Sequence, residues 1–238
     1  MKFKDKNAIF CALDTKDTDL AISFIKSIKD YIDGVKIGME AFYSMGLEGY
    51  LRIQDLNLPI FLDLKLHDIP NTVNSAIKSL LPLNPYMLNV HVSGGGEMLR
   101  SAKQAIEDSY GEKPLLVGVT ILTSMNEDSF KEQGLQLNIE TQVVNLSKLA
   151  VKNGLNGVVC SPHEAKKVKD ECGKDFLTIV PGIRPESFQS QDQKRIMTPK
   201  EAVNNGADIL IIGRPLTKAK DPITAAKEIR KSIENNDH

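Results

Sequence analysis

The sequence predicts an α/β fold, a single (β/α)8 barrel spanning residues 1–238, on three observations. Eight short apolar runs recur along the chain, stretches of helical period separate them, and no linker or composition shift interrupts the series. Dividing 238 residues by eight leaves about 30 per unit, the size of one strand–helix repeat in a compact barrel.

The runs are AIFCAL (8–13), GVKIG (34–38), PIFLDLK (59–65), MLNVHV (87–92), LLVGVTI (115–121), GVVCS (157–161), LTIVPG (177–182) and DILIIG (208–213). They are short, rich in β-branched residues and often apolar on consecutive positions, as parallel strands covered on both faces are. Between them the period becomes helical. Leu20, Ala21, Phe24, Ile25 and Ile28 form one stripe, and Val73, Ala76, Ile77, Leu80 and Leu81 a second. Ile139, Val143, Val144, Leu146 and Ala150 form a third, and a last helix is expected over about 222–233 with Pro222 in its first turn. An open doubly wound sheet fits less well. It usually has fewer strands and often a glycine-rich first turn, whereas Ala12-Leu13-Asp14-Thr15-Lys16 holds no GxGxxG. Two connections, 123–138 and 183–198, are longer than a simple turn requires. In a barrel both lie at the C-terminal face, where binding loops and lids gather.

Lys plus Arg total 30 and Asp plus Glu 31, a net charge of -1, so no bulk field draws nucleic acid or an anionic membrane. No apolar run approaches the roughly 18 residues that span a bilayer, and MKFKDKNAIF meets Asp14 too soon to hold a secretory apolar core. Cys11, Cys160 and Cys172 show neither CxxC nor zinc spacing and read as reduced core thiols. The expectation is a cytoplasmic protein with neither a nucleic-acid nor a membrane partner.

The most informative segment runs from Asp63 through Leu64, Lys65, Leu66, His67 and Asp68 to Ile69, Pro70, Asn71 and Thr72. Strand alternation places Asp63 and Lys65 on one side and Leu62 and Leu64 on the other. Charges in an apolar run are costly to desolvate unless paired, so these are expected to pair at the barrel mouth. A structural ion pair would satisfy the same pattern. What favours a site is the recurrence of polar residues at other strand ends: Asp14, Lys36, Thr123 with Ser124, Pro181-Gly182-Ile183-Arg184, and Gly213-Arg214. The ends of strands seven and eight are where such barrels hold phosphate, by backbone N–H groups and a planar guanidinium. Ser93-Gly94-Gly95-Gly96 competes for that role but reads better as a tight strand-to-helix turn. His91 reads as a core histidine, and His67 and His163 have no partner at metal spacing, so no metal site is expected.

Together these residues resemble the orotidine 5′-phosphate decarboxylase family over nearly the whole chain. The segments carrying the likeness are 63–72, 35–38, 120–124, 181–185 and 192–195. The resemblance implies a lyase of pyrimidine biosynthesis that converts orotidine monophosphate to uridine monophosphate without any cofactor. It further implies a homodimer of barrels with shared active sites. Lys36, Asp63, Lys65 and Asp68 would form an alternating charge network with Lys65 as proton donor. Asp68, Ile69 and Thr72 would reach across from the partner subunit. Asp14 would hold ribose hydroxyls and Ser124 the pyrimidine, with Thr123 and Pro181 also among the substrate-binding positions. Gln193, Arg214 and the Gly213 backbone would grip the phosphate, and Arg184 would also bind substrate.

Three other readings use the same residues. A magnesium-dependent decarboxylase of a sugar-acid phosphate shares the DxKxxD pattern, but Lys36 stands where an acid would hold the metal. A class I aldolase needs a neutral lysine, which flanking carboxylates oppose. A non-catalytic phosphate-ligand barrel leaves the charged arrangement a purely structural part.

Overall fold

A computed structural model describes residues 7–186 and 196–234. Eight parallel strands close in sequence order, each pairing with the next and the last with the first. They are β1 (Ala8–Leu13), β2 (Gly34–Gly38), β3 (Ile60–Leu66), β4 (Met87–His91), β5 (Leu115–Val119), β6 (Gly157–Val159), β7 (Leu177–Val180) and β8 (Ile209–Ile212). The helices are α1 (Thr18–Ile28), α2 (Met39–Gln54), α3 (Pro70–Leu80), α4 (Gly95–Glu107), α5 (Glu127–Lys131), α6 (Ile139–Lys152), α7 (Ala165–Cys172), α8 (Pro199–Asn204), α9 (Arg214–Thr217) and α10 (Pro222–Glu234). The barrel expected from the sequence is therefore the fold. Among the described residues no helix is long and apolar enough to cross a membrane.

Strand alternation divides the core in two. Ala8, Phe10, Ala12, Phe61, Met87, Val117, Ile179, Ile209 and Ile211 fill the barrel interior. Ile9, Cys11, Leu13, Val35, Ile37, Leu88, Val90, Leu210 and Ile212 face outward onto the helices. Helix ends follow local chemistry. Asp17 caps α1 by accepting from the Asp19 and Leu20 N–H groups, and Thr198 and Glu201 form a reciprocal capping box on α8.

Two details depart from the sequence reading. The long connection after β5 contains α5, capped by Asn126 and anchored by the fully buried Phe130. Cys172 is half-buried rather than in the core, while Cys11 and Cys160 are buried; all three are free thiols. Of the connection after β7, the two ends are described. Ile183 and Met197 bridge in parallel, the Arg184 N–H donates to the Met197 carbonyl at 2.9 Å, and the Met197 N–H donates to the Gly182 carbonyl at 3.3 Å. Gly182 has φ 83°, a conformation in which a side chain would be strained.

Candidate active site

The alternation that fills the barrel also turns Lys36 of β2, Asp63 of β3 and Asn89 and His91 of β4 inward. Lys36 Nζ lies 3.3 Å from Asp63 Oδ2, and Lys65 Nζ donates to Asp63 Oδ1 at 2.7 Å. Asp63 is only 7% exposed. Burial alone would push its carboxyl up, but the Lys36 and Lys65 ammoniums and hydrogen bonds from Lys65 and Asn89 outweigh it, holding the group below the ordinary carboxylate value. Asp63 is thus a fixed anion between two cations.

The route by which Lys65 reaches Asp63 differs from simple alternation. The β3–β4 register shifts between Leu62 and Leu66, and Lys65 sits at φ 51°. A side-chain-bearing residue pays about 1–2 kcal/mol for that left-handed conformation, so the surroundings must hold it. Asn89 supplies that hold. Its Oδ1 accepts from the Lys65 backbone N–H at 2.8 Å, and its Nδ2 donates to Asp63 Oδ1 at 2.6 Å. Sequence reasoning missed Asn89, whose only signal was a polar residue in the middle of a mostly apolar strand.

A cavity of about 150 Å³ opens beside this cluster. Its lining joins Lys36, Asp63 and Lys65 to the apolar Phe61, Val119, Val159 and Ile211, with Thr123 and Pro181 also part of it. Low local dielectric in such a cavity strengthens every charge contact. Asp14 stands beside Gly213, since a Cβ built there would lie 3.4 Å from Asp14 Oδ2. Gly213 precedes α9, and Arg214 begins it. Arg184 is buried, and its Nη1 donates to the Ile183 carbonyl at 2.7 Å. Ser124 is exposed. Gln193 lies outside the described residues.

Asp68, Ile69 and Thr72 do not join the cluster within the chain. All three are exposed, and the Asp68 carboxylate accepts only the Ile69 N–H, at 2.7 Å, among the described residues. Burial, with Asp14 adding to it, pushes the Cys11 thiol up to about 12, which leaves it inert as a nucleophile at neutral pH. Glu40, on the first turn of α2, lies 4.0 Å from Lys16. A 3-10 turn over Val92–Gly94 leads straight into α4 at Gly95, whose φ is 84°, matching the tight-turn reading of Ser93–Gly96. His67 and His91, which the sequence left separate, pack with ring centroids 5.3 Å apart and planes tilted by 37°.

Fold and site together define a (β/α)8 barrel enzyme whose mouth carries a lysine–aspartate–lysine cluster beside an apolar cavity. Residues 7–229 match the Orotidine 5'-phosphate decarboxylase / HUMPS family, and the chain belongs to that family. Orotidine 5'-phosphate decarboxylase of Wolbachia pipientis subsp. Culex pipiens (strain wPip) is 47% identical over 227 residues, covering 95% of this chain and 99% of the relative. The enzyme of that name from Pseudoalteromonas translucida (strain TAC 125) is 44% identical over 234 residues, covering 98% and 100%. The crystal structure of orotidine 5'-phosphate decarboxylase from Lactobacillus acidophilus superimposes with a TM-score of 0.84 at 36% identity, covering 96% of this chain and 99% of that one.

Proposed function

We propose that this chain, as one catalytic domain over residues 1–238, decarboxylates orotidine 5′-monophosphate to uridine 5′-monophosphate and CO2. The observation that carries the reading is the Asp63 carboxylate held between the Lys36 and Lys65 ammoniums at the edge of an apolar cavity.

In this reading the substrate carboxylate lies against Asp63, whose fixed negative charge disfavours the ground state. The carbon–carbon bond breaks, CO2 leaves, and the electron pair stays on the ring carbon. The Lys65 ammonium stabilises that charge and then donates a proton to the same carbon, and solvent restores the lysine. Asp14 holds ribose hydroxyls, with Thr123, Ser124 and Pro181 along the base. Gly213, Arg214 and Gln193 bind the phosphate, Arg184 also binds substrate, and phosphate binding organises the charges across the mouth. These residues supply each step without a metal or organic cofactor.

The active form in this proposal is a homodimer in the cytoplasm, with Asp68, Ile69 and Thr72 completing the site of the partner subunit. Support comes from the surface. Met39 and Tyr43, before the kink of α2 at Gly46, and Leu47 and Leu51, after it, are all exposed, as is Ile69 beside Asp68. Exposed apolar residues gathered in this way mark association surfaces.

The test follows the loss of orotidine monophosphate absorbance with purified protein in excess EDTA. Turnover under these conditions is expected, and no turnover refutes the reading. Turnover that requires added Mg²⁺ would favour the metal-dependent decarboxylase, and borohydride trapping of a lysine adduct would favour the aldolase.

A further inference from the structure

Asn89 is a buried amide that no step above uses. It is 1% exposed and faces into the barrel from the middle of β4. A buried amide is tolerated where both its donor and its acceptor are matched. Here the two partners are the two halves of the charged cluster, the Asp63 carboxylate and the Lys65 backbone N–H. The second contact falls where the β3–β4 ladder is interrupted and Lys65 takes its left-handed conformation.

We propose that Asn89 is a positioning residue for the decarboxylation. One planar group locks the backbone turn that folds the Lys65 ammonium back onto Asp63 and sets the rotamer of the Asp63 carboxylate. The inference rests on the decarboxylase reading. It demands a donor and an acceptor on one short side chain at fixed separation. Leucine supplies neither, and aspartate supplies only the acceptor. Nothing in this role touches Gly213 and Arg214, the proposed phosphate contacts that follow β8.

Two variants separate positioning from mere packing. Asn89→Leu keeps the number and branching of the side-chain heavy atoms and removes both hydrogen bonds. Its kcat should fall about 100-fold, the cost of a charged group displaced by an ångström or so, while KM stays within about threefold because the phosphate contacts are intact. Asn89→Asp is nearly isosteric and sets a second carboxyl against Asp63. Two carboxyls at hydrogen-bond distance share a proton, so the acid limb of kcat/KM should move up by at least about one pH unit. Asp63 is faced by Lys36 from β2, Lys65 from its own strand, and Asn89 and His91 from β4, with His67 packed on His91. Those groups are unchanged in the variant, so the difference from the parent reads the new pair.

Parent-like kcat in Asn89→Leu, or a parent-like acid limb in Asn89→Asp, overturns the proposal. So does a loss of kcat matched by an equal rise in KM, because that is the signature of a loosened fold. The parent enzyme is assayed first. If it shows no turnover, the decarboxylase reading fails, and the Asn89 contact is still read by carboxyl NMR. Asp63 should then titrate at higher pH in Asn89→Leu than in the parent, and an unchanged titration overturns the contact's role.

Discussion

Asp63→Asn tests the charge balance most directly, because it keeps the side-chain shape and removes the anion that two ammoniums share. The contacts are 2.7 Å to Lys65 and 3.3 Å to Lys36, with the lysine side chains 25% and 13% exposed. At an effective dielectric near 20, charges at those separations attract by about 6 and about 5 kcal/mol, against several kcal/mol of desolvation per ion. Deleting one partner of such a buried cluster costs about 3–5 kcal/mol, and water access to Lys65 places the expected loss near the lower end, about 3 kcal/mol. Lys65→Met should behave differently. It leaves Lys36 and Asp63 as a one-to-one pair, so stability should stay within about 1 kcal/mol of the parent. Urea unfolding at pH 7 and fixed protein concentration measures both, the concentration being held because self-association adds to apparent stability. Asp63→Asn within 1 kcal/mol of the parent, or Lys65→Met losing as much as Asp63→Asn, would refute the argument (thresholds on the order of measurement error in such extrapolations). The sign with pH is also set. The Asp63 carboxyl is held below 3.8, so its contribution is complete above that pH and is lost as pH falls through the lower folded value.

Lys65→Ala should abolish nearly all turnover and leave a folded barrel by circular dichroism, because it removes the proposed proton donor; normal activity would sink that role. Mixing inactive Asp68→Asn and Lys65→Ala subunits should restore part of the activity if sites are shared, and no recovery despite demonstrated subunit exchange would count against sharing. Leu47→Glu, which places a charge among the exposed apolar residues of α2, should shift the protein toward monomer in analytical ultracentrifugation with loss of activity, and an unchanged sedimentation profile would exclude that face. Burial, with His67 and Lys65 adding to it, holds His91 below 6.5, so the unfolded chain binds more protons just below that pH. Stability should therefore fall as pH drops from 6.5 toward the folded value, at no more than about 1.4 kcal/mol per pH unit, and an equally steep slope in His91→Gln would show that another group is responsible.

Much of this was legible in one dimension. Apolar runs of strand length separated by stripes of helical period specify burial on both faces of a parallel sheet, and all eight runs became barrel strands. The strand ends were legible for the same reason. A charge at an inward-facing position near a strand's C-terminal end has few places to go, so Lys36, Asp63 and Lys65 meet at the barrel mouth, Lys65 by a left-handed turn that alternation alone does not show. The helix inside the 123–138 connection was harder to see, because its stability rests on Phe130 docking into the core rather than on any periodic stripe.

The residues that escaped the sequence reading act across strands. Asn89 meets Lys65 from 24 residues away, and its amide is informative only once a register shift leaves the Lys65 N–H to be satisfied. The contact of His67 with His91 likewise depends on how β3 and β4 lie side by side. Local periodicity determined the barrel, the inward-facing charges and their chemical type, since those follow from which positions must avoid water. The bulge, the left-handed lysine and the asparagine that holds both awaited the folded chain, because a hydrogen bond between strands has no trace in the spacing of either one.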